Sequence, residues 1–295
     1  MSWARALGSL ITRPERPPVA ELERRLIDAV LAEPDDDAPR MVYADWLCGR
    51  PEPVLSARGE LITIQCTLEG IADPVEHARL KARDFELVER YGNVWCAYAG
   101  LGEARNNWYP AEHEVDFQRG FMETVSMRIG DYPRVAARLF TSEPVRHLRL
   151  GGYAPEVMAR LPTSIYVRRL RALALRRTRF NAAELGALVS AIANLERLEL
   201  VDMDLGLDHL AALTPVRALC LHHNGLDANV VAALGPLAEQ LEILELDGNP
   251  IGDVGAQVLA RTPFAKLRRL SLVGVDLDET WQIRLRERFG DRLIT

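Results

Sequence analysis

Cys220 and His222 stand two apart in "ALCLHH", with His223 next to them. A thiol and an imidazole perform nucleophilic catalysis when the ring takes the thiol proton and a third group orients it. Alternation along a strand places Cys220 and His222 on one exposed face. No carboxylate at a recognisable catalytic spacing accompanies them, so no catalytic role is expected. A second cluster, Asp35, Asp36 and Asp37 with Asp45, offers the carboxylates that a hard cation wants. It does not follow the D-x-D-x-D-G loop, and Asp residues just ahead of a helical run are what a helix N-terminus attracts. No metal is expected there. No P-loop, G-x-G-x-x-G, G-x-S-x-G or H-E-x-x-H occurs in the chain, so neither a cofactor nor an enzyme is expected.

Charge is the third chemical signal. The 295 residues carry a net charge of −6, which argues against a general nucleic-acid binder. The distribution is uneven. Residues 145–180 hold nine arginines (146, 149, 160, 168, 169, 171, 176, 177 and 179) against one acid, Glu156, whereas the flanking regions are each acidic. This patch faces either an anionic partner or the chain's own acidic N-terminal part, and the sequence leaves both open. The aromatic residues nearby are Tyr153, Tyr166 and Phe180, too few to favour stacking of nucleic-acid bases. The four cysteines are scattered with no C-x-x-C pair, which argues against a zinc knuckle or a disulfide scaffold.

These residues need elements to hold them. The template L-x-x-L-x-L fits at Val145/Leu148/Leu150, Leu170/Leu173/Leu175, Leu195/Leu198/Leu200, Val216/Leu219/Leu221, Leu241/Leu244/Leu246 and Leu267/Leu270/Leu272. The steps between starts are 25, 25, 21, 25 and 26 residues. Ten positions after each start stand Pro155, Phe180, Leu205, Leu226, Ile251 and Leu277; eighteen after, the last five copies give Leu188, Leu213, Leu234, Leu259 and Leu285. L-x-L has the period of a strand, and the later apolar positions suit a helix packed back onto it. One copy cannot bury its leucines alone, but stacked copies can. The N-terminal half reads differently. Helical spacing runs through residues 19–32, a second helix opens after Asp35–Asp37, and "ARGELITIQCTLEG" and "DPVEHARLKARDFELVERYG" continue the pattern. Residues 114–128 alternate and turn at Gly120, which predicts a short hairpin, and "YPRVAARLF" predicts a helix.

The recurring template resembles the leucine-rich repeat family, of the ribonuclease-inhibitor-like type, over residues 145–295. That resemblance implies a curved solenoid with parallel strands on its concave side and helices on its convex side. The family's turn asparagine matches only Asn224 and Asn249; Tyr153, Thr178, Met203 and Val275 stand in its place elsewhere. The N-terminal stretch is similar to the bacterial repeat-companion domain. Its matching core here is Asp35, Asp36, Arg40, Tyr43, Asp45, Trp46 and Leu47, then Arg58, Gly59 and Glu60. That similarity implies architecture; the residues themselves predict internal ion pairs and helix caps for Arg40, Arg58, Asp45 and Glu60, and a core place for Tyr43 and Trp46, which share one helical face.

The expected fold is α/β: a segment over 1–18 that is flexible, a helical module over 19–110, a hairpin-and-helix junction over 111–144, and six repeats over 145–295. The expected function is non-enzymatic binding of another protein through the concave face. The residues expected to line it are Arg149, Arg176, Arg197, Glu199, His222, Glu245, Asp247 and Arg269. The alternative is an anionic ligand, RNA or a phosphate-bearing partner, on the arginine-rich first two repeats. With no span of 18 apolar residues and no cleavable leader pattern, a cytoplasmic address and no membrane partner are expected.

Overall fold

The computed structural model describes residues 20–102 and 115–295. The expected flexible segment 1–18 and the expected domain boundary at 110/111 lie outside them. Among the described residues there are eleven α-helices and one nine-stranded sheet. The chain divides into two compact units. Of the described residues, the first takes in 20–102, 116–122 and 137–144, and the second takes in 115, 123–136 and 145–295.

The first unit is built on helices α1 (Glu21–Ala32), α2 (Asp37–Cys48), α3 (Pro53–Thr67) and α4 (Pro74–Tyr98). Asp36 caps α2, its carboxylate accepting from the Ala38 amide at 2.9 Å, and Asp73 caps α4 in the same way. Pro53 and Pro74 each open a helix where no amide hydrogen is needed. Helix α3 presses so closely on α2 that a Cβ on Gly59 would stand 2.7 Å from the Ala44 carbonyl oxygen and 2.8 Å from Cys48 Sγ. Only glycine fits that crossing. The core gathers Ile27, Val30, Tyr43, Ala44, Leu47, Leu55, Ile62 and Phe121.

Strands β1 (Val115–Gln118) and β2 (Phe121–Arg128) are sheet neighbours joined by Arg119 and Gly120, both with positive φ, at 49° and 77°. This is the hairpin that the alternation predicts, with the left-handed turn that matches strand twist. Gly120 is required twice, because a Cβ there would also strike Ile62 Cα at 2.6 Å. Helix α5 (Tyr132–Phe140) follows.

The remaining strands are β3 (His147–Gly151), β4 (Ala172–Arg176), β5 (Arg197–Val201), β6 (Ala218–Cys220), β7 (Ile243–Glu245), β8 (Arg269–Ser271) and β9 (Leu293–Ile294). The sheet order follows the sequence from β1 to β9, and every pair from β2·β3 to β8·β9 is parallel. Helices α6 (Pro155–Met158), α7 (Ala182–Ser190), α8 (Leu207–Ala211), α9 (Ala228–Ala233), α10 (Gly252–Arg261) and α11 (Glu279–Phe289) alternate with the strands. Consecutive helices from α7 to α11 touch one another as consecutive strands do.

The register aligns Leu148, Leu173, Leu198, Leu219, Leu244 and Leu270 in one row. All six are buried, as are Leu188, Leu213, Leu234, Leu259 and Leu285. Two template positions depart from the expectation. Leu195 is only half-buried, and Pro155 is exposed because it opens the short α6 while Ala154 turns inward. The 21-residue step between the third and fourth stretches is absorbed in α8, which has five residues.

Candidate functional site

The quoted N-terminal motif turns inward and fastens the first unit to itself. Arg40 is wholly buried and donates to the Pro34 carbonyl at 2.7 Å and the Arg119 carbonyl at 3.3 Å, with its guanidinium over the Phe121 ring. The Asp35 carbonyl accepts from Arg119. Tyr43 is buried, stacks on Trp46 and donates to Glu23 at 2.9 Å. Arg58 and Glu60 find ionic partners outside the motif. Arg58 pairs with buried Glu143 at 2.8 Å between the rings of Trp95, Phe117 and Phe121, and Glu60 takes Arg83 bidentately at 2.7 and 2.8 Å. Those bonds hold the Glu60 carboxyl below its ordinary value. Asp45 is exposed on α2. Asp45 apart, which departs from the expected ion pair or cap, these are internal roles.

The second unit presents a different arrangement. Residues two and four places after each template start lie on the face of the sheet that the leucines do not use. On β5 to β8 these are Arg197, Glu199, Ala218, Cys220, Ile243, Glu245, Arg269 and Ser271. The register sets Cys220 directly beside Glu245, and Glu245 directly beside Ser271. Just beyond the strand ends, His222 reaches Glu245 Oε2 with Nε2 at 3.1 Å and Asp247 Oδ2 with Nδ1 at 3.4 Å. Arg269 Nε lies 3.1 Å from Glu245 Oε1. Arg197 pairs with Glu199 at 2.6 Å and extends across β6 to within 3.7 Å of Glu245 Oε2. It can cross because Ala218 and Cys220 are short.

This geometry corrects two expectations. Cys220 is not on an exposed face: it is 0% exposed, and Glu245 and Ser271 are buried with it at 8% and 1%. Arginine side chains from the neighbouring strands extend across that face, which strand alternation alone does not reveal. Nor is the Cys–His pair without carboxylates. Glu245 and Asp247 come from the next strand, 25 residues after Cys220 and His222, a spacing set by the sheet. The available signal was that each occupies the same place in successive template copies.

Six of the eight residues expected to line the binding face thus meet in one network: Arg197, Glu199, His222, Glu245, Asp247 and Arg269. A carboxylate as buried as Glu245 is held there by compensating positive charge and hydrogen bonds. Arg149, half-buried on β3, and Arg176, exposed at the end of β4, belong to the other end of the sheet. Burial pushes the Cys220 thiol well above the ordinary value for cysteine, with Glu245 and Glu199 adding to it and Arg197 opposing. A thiol so held is protonated at neutral pH and is a poor nucleophile.

The turns behind this network are fixed by asparagine. Asn249 Oδ1 accepts from the amides of Asn224 and Leu226, while Nδ2 donates to the carbonyls of Leu221 and Leu246. Asn224 repeats the pattern one strand earlier, accepting from the Met203 amide and donating to the Leu200 carbonyl. Both side chains are buried. They hold the segments that carry His222 and Asp247.

In comparisons with protein-family models and with curated proteins, nothing matches this chain. Among the described residues no helix is long and apolar enough to cross a membrane.

Proposed function

We propose that residues 145–295 form a leucine-rich-repeat solenoid that binds another protein, without catalysis, through the sheet face opposite its leucines. The repeat reading is supported by the single row of buried leucines across successive parallel strands and by the two asparagines at equivalent turns. It is supported further by one backbone feature. The residue seven places after each template start has positive φ in all six stretches: Gly152, Arg177, Asp202, His223, Gly248 and Gly274. Stacked units of this kind present an extended surface whose exposed strand positions set the partner.

The observation that carries the binding reading is the contrast along this face. From β5 to β8 its charges are engaged with one another, whereas at the end of β4 Arg176 is exposed. Charge of one sign at one end suits an acidic protein surface, and it steers association more than it deepens affinity. The buried, protonated Cys220 thiol argues for binding rather than turnover.

The test is kinetic. The full chain is used to capture its partner from the source cells, and association is followed over a range of ionic strength. Arg149→Glu with Arg176→Glu should slow association and flatten its salt dependence, while the melting temperature stays close to the parent's. Unchanged rates with a lowered melting temperature would assign these arginines to holding the fold. Capture of RNA rather than protein, with the same salt response, would favour the anionic-ligand alternative.

A further inference from the structure

We propose that Cys220, His222 and Glu245 form a binding site for one zinc ion, with Asp247 orienting the imidazole from behind. The inference goes beyond the partner-binding reading and does not depend on it. The three ligand atoms lie within 4.8 Å of one another, and no other group of His, Cys, Asp or Glu among the described residues meets that spacing. Two ligands of a tetrahedral zinc with bonds of about 2.1 Å are about 3.4 Å apart. His222 Nε2 and Glu245 Oε2 already stand at 3.1 Å. Thiolate, imidazole and carboxylate are zinc's usual donors, and a thiolate disfavours the hard cations magnesium and calcium.

The surroundings fit the role. In metal sites the ligating histidine donates its second N–H to a carboxylate, which fixes the tautomer and turns the other nitrogen towards the ion. Asp247 Oδ2 stands 3.4 Å from His222 Nδ1, while Nε2 faces Glu245. The Glu245 carboxylate is likewise held from outside, Oε1 by Arg269 at 3.1 Å, which leaves Oε2 directed at the site. Arg197, 3.7 Å from Oε2, would have to withdraw, and its 2.6 Å bond to Glu199 gives it a partner to keep. Cys220 and Glu245 are paired residues of adjacent strands, so their separation is fixed by the sheet.

Charge balances as well. The arginines 197 and 269 and the carboxylates 199, 245 and 247 sum to −1. Zinc adds two positive charges and the thiol proton leaves to solvent, so the loaded cluster is neutral. A network that is buried at its centre tolerates that state better than an added net charge.

The experiment uses the full chain, stripped with a chelator, dialysed, and titrated with cobalt(II) chloride and then zinc chloride. One cobalt per chain should bind, with thiolate-to-metal absorption in the near ultraviolet and tetrahedral bands in the visible. One equivalent of zinc should erase both. Cys220→Ser should abolish the thiolate band, and His222→Gln should weaken uptake by at least about tenfold. Asp247→Asn should keep the bands and weaken binding by about 10- to 100-fold, the usual cost of losing such a support. Failure to take up one equivalent would overturn the site. So would a thiolate band that survives Cys220→Ser, since Cys48, Cys66 or Cys96 would then be the ligand. If near-ultraviolet dichroism shows that Cys220→Ser does not fold, Glu245→Gln decides: binding at least about tenfold weaker supports the site, and unchanged binding overturns it.

Discussion

Thr178 shows what one side chain contributes to this sheet. It occupies the turn position held by Asn224 and Asn249 in later stretches, it is 0% exposed, and its Oγ1 has no hydrogen-bond partner among protein groups. A buried hydroxyl left without a partner costs roughly 1–3 kcal/mol, and its replacement by an apolar group of similar shape removes that cost. Thr178→Val should therefore be neutral or stabilising by about 1 kcal/mol in a denaturant melt. A loss of more than 1 kcal/mol would mean that the hydroxyl is bonded. Thr178→Asn asks the converse question, because asparagine there could reach the Tyr153 amide and the Leu150 carbonyl as Asn224 reaches Met203 and Leu200. The turn role of the two asparagines was legible in the sequence only through the family resemblance of the recurring template. The burial of Cys220 was not, because it depends on Arg197 spanning β6, a conformation that no pattern of residue types encodes. Glu245 beside Cys220 was legible in principle, since both stand four places after a template start.

Among the elements, the strands of the second unit were the easiest to read, because L-x-L announces period two and the register repeats it. Leu244 illustrates the consequence. It is fully buried within the leucine row, paired with Leu219 on one side and Leu270 on the other. Leu244→Ala should cost about 2–5 kcal/mol, the range for a core leucine whose neighbours relax only in part. A variant that melts like the parent would place the leucine row outside the core. Two strands escaped the template. The sequence of β2, "FMETVSMR", predicts half of a hairpin, yet the strand also pairs in parallel with β3 from Thr124↔His147 to Arg128↔Gly151. It keeps the template's spacing at Met122, Val125 and Met127, all buried, but with methionine and valine where the later copies have leucine. β9 has two residues and no periodicity to find. The left-handed turn after each strand was hidden for a different reason. Only three of the six positions are glycine, and Arg177, Asp202 and His223 adopt the same backbone without advertising it.

On the scale of the whole molecule, charge patterning was visible in the sequence, but its effect on folding depends on burial. His147 on β3 has its pKa lowered from an ordinary 6.5, first by burial, then by Arg149, Arg146 and Arg197, with Glu123 opposing. Glu60 in the first unit is lowered from 4.5 by its bonds to Arg83. Both shifts have the same sign: the unfolded chain binds protons more readily than the folded one, so acid favours unfolding. For His147 the stabilising difference is complete above pH 6.5 and is lost as pH falls through the unfolded value towards the lower folded one. For Glu60 it is complete above pH 4.5 and is lost below. Stability should therefore decline from neutrality in two stages, the first beginning near pH 6.5 and the second near pH 4.5. Urea melts across pH 4 to 8 would resolve them. His147→Gln, which keeps a polar group opposite Thr124, should flatten the first stage and leave the second. Glu60→Gln should do the reverse, at the expense of the Arg83 pair. If the His147→Gln profile between pH 5 and 7 matches the parent's, the imidazole is not the group that makes the fold sensitive to mild acid.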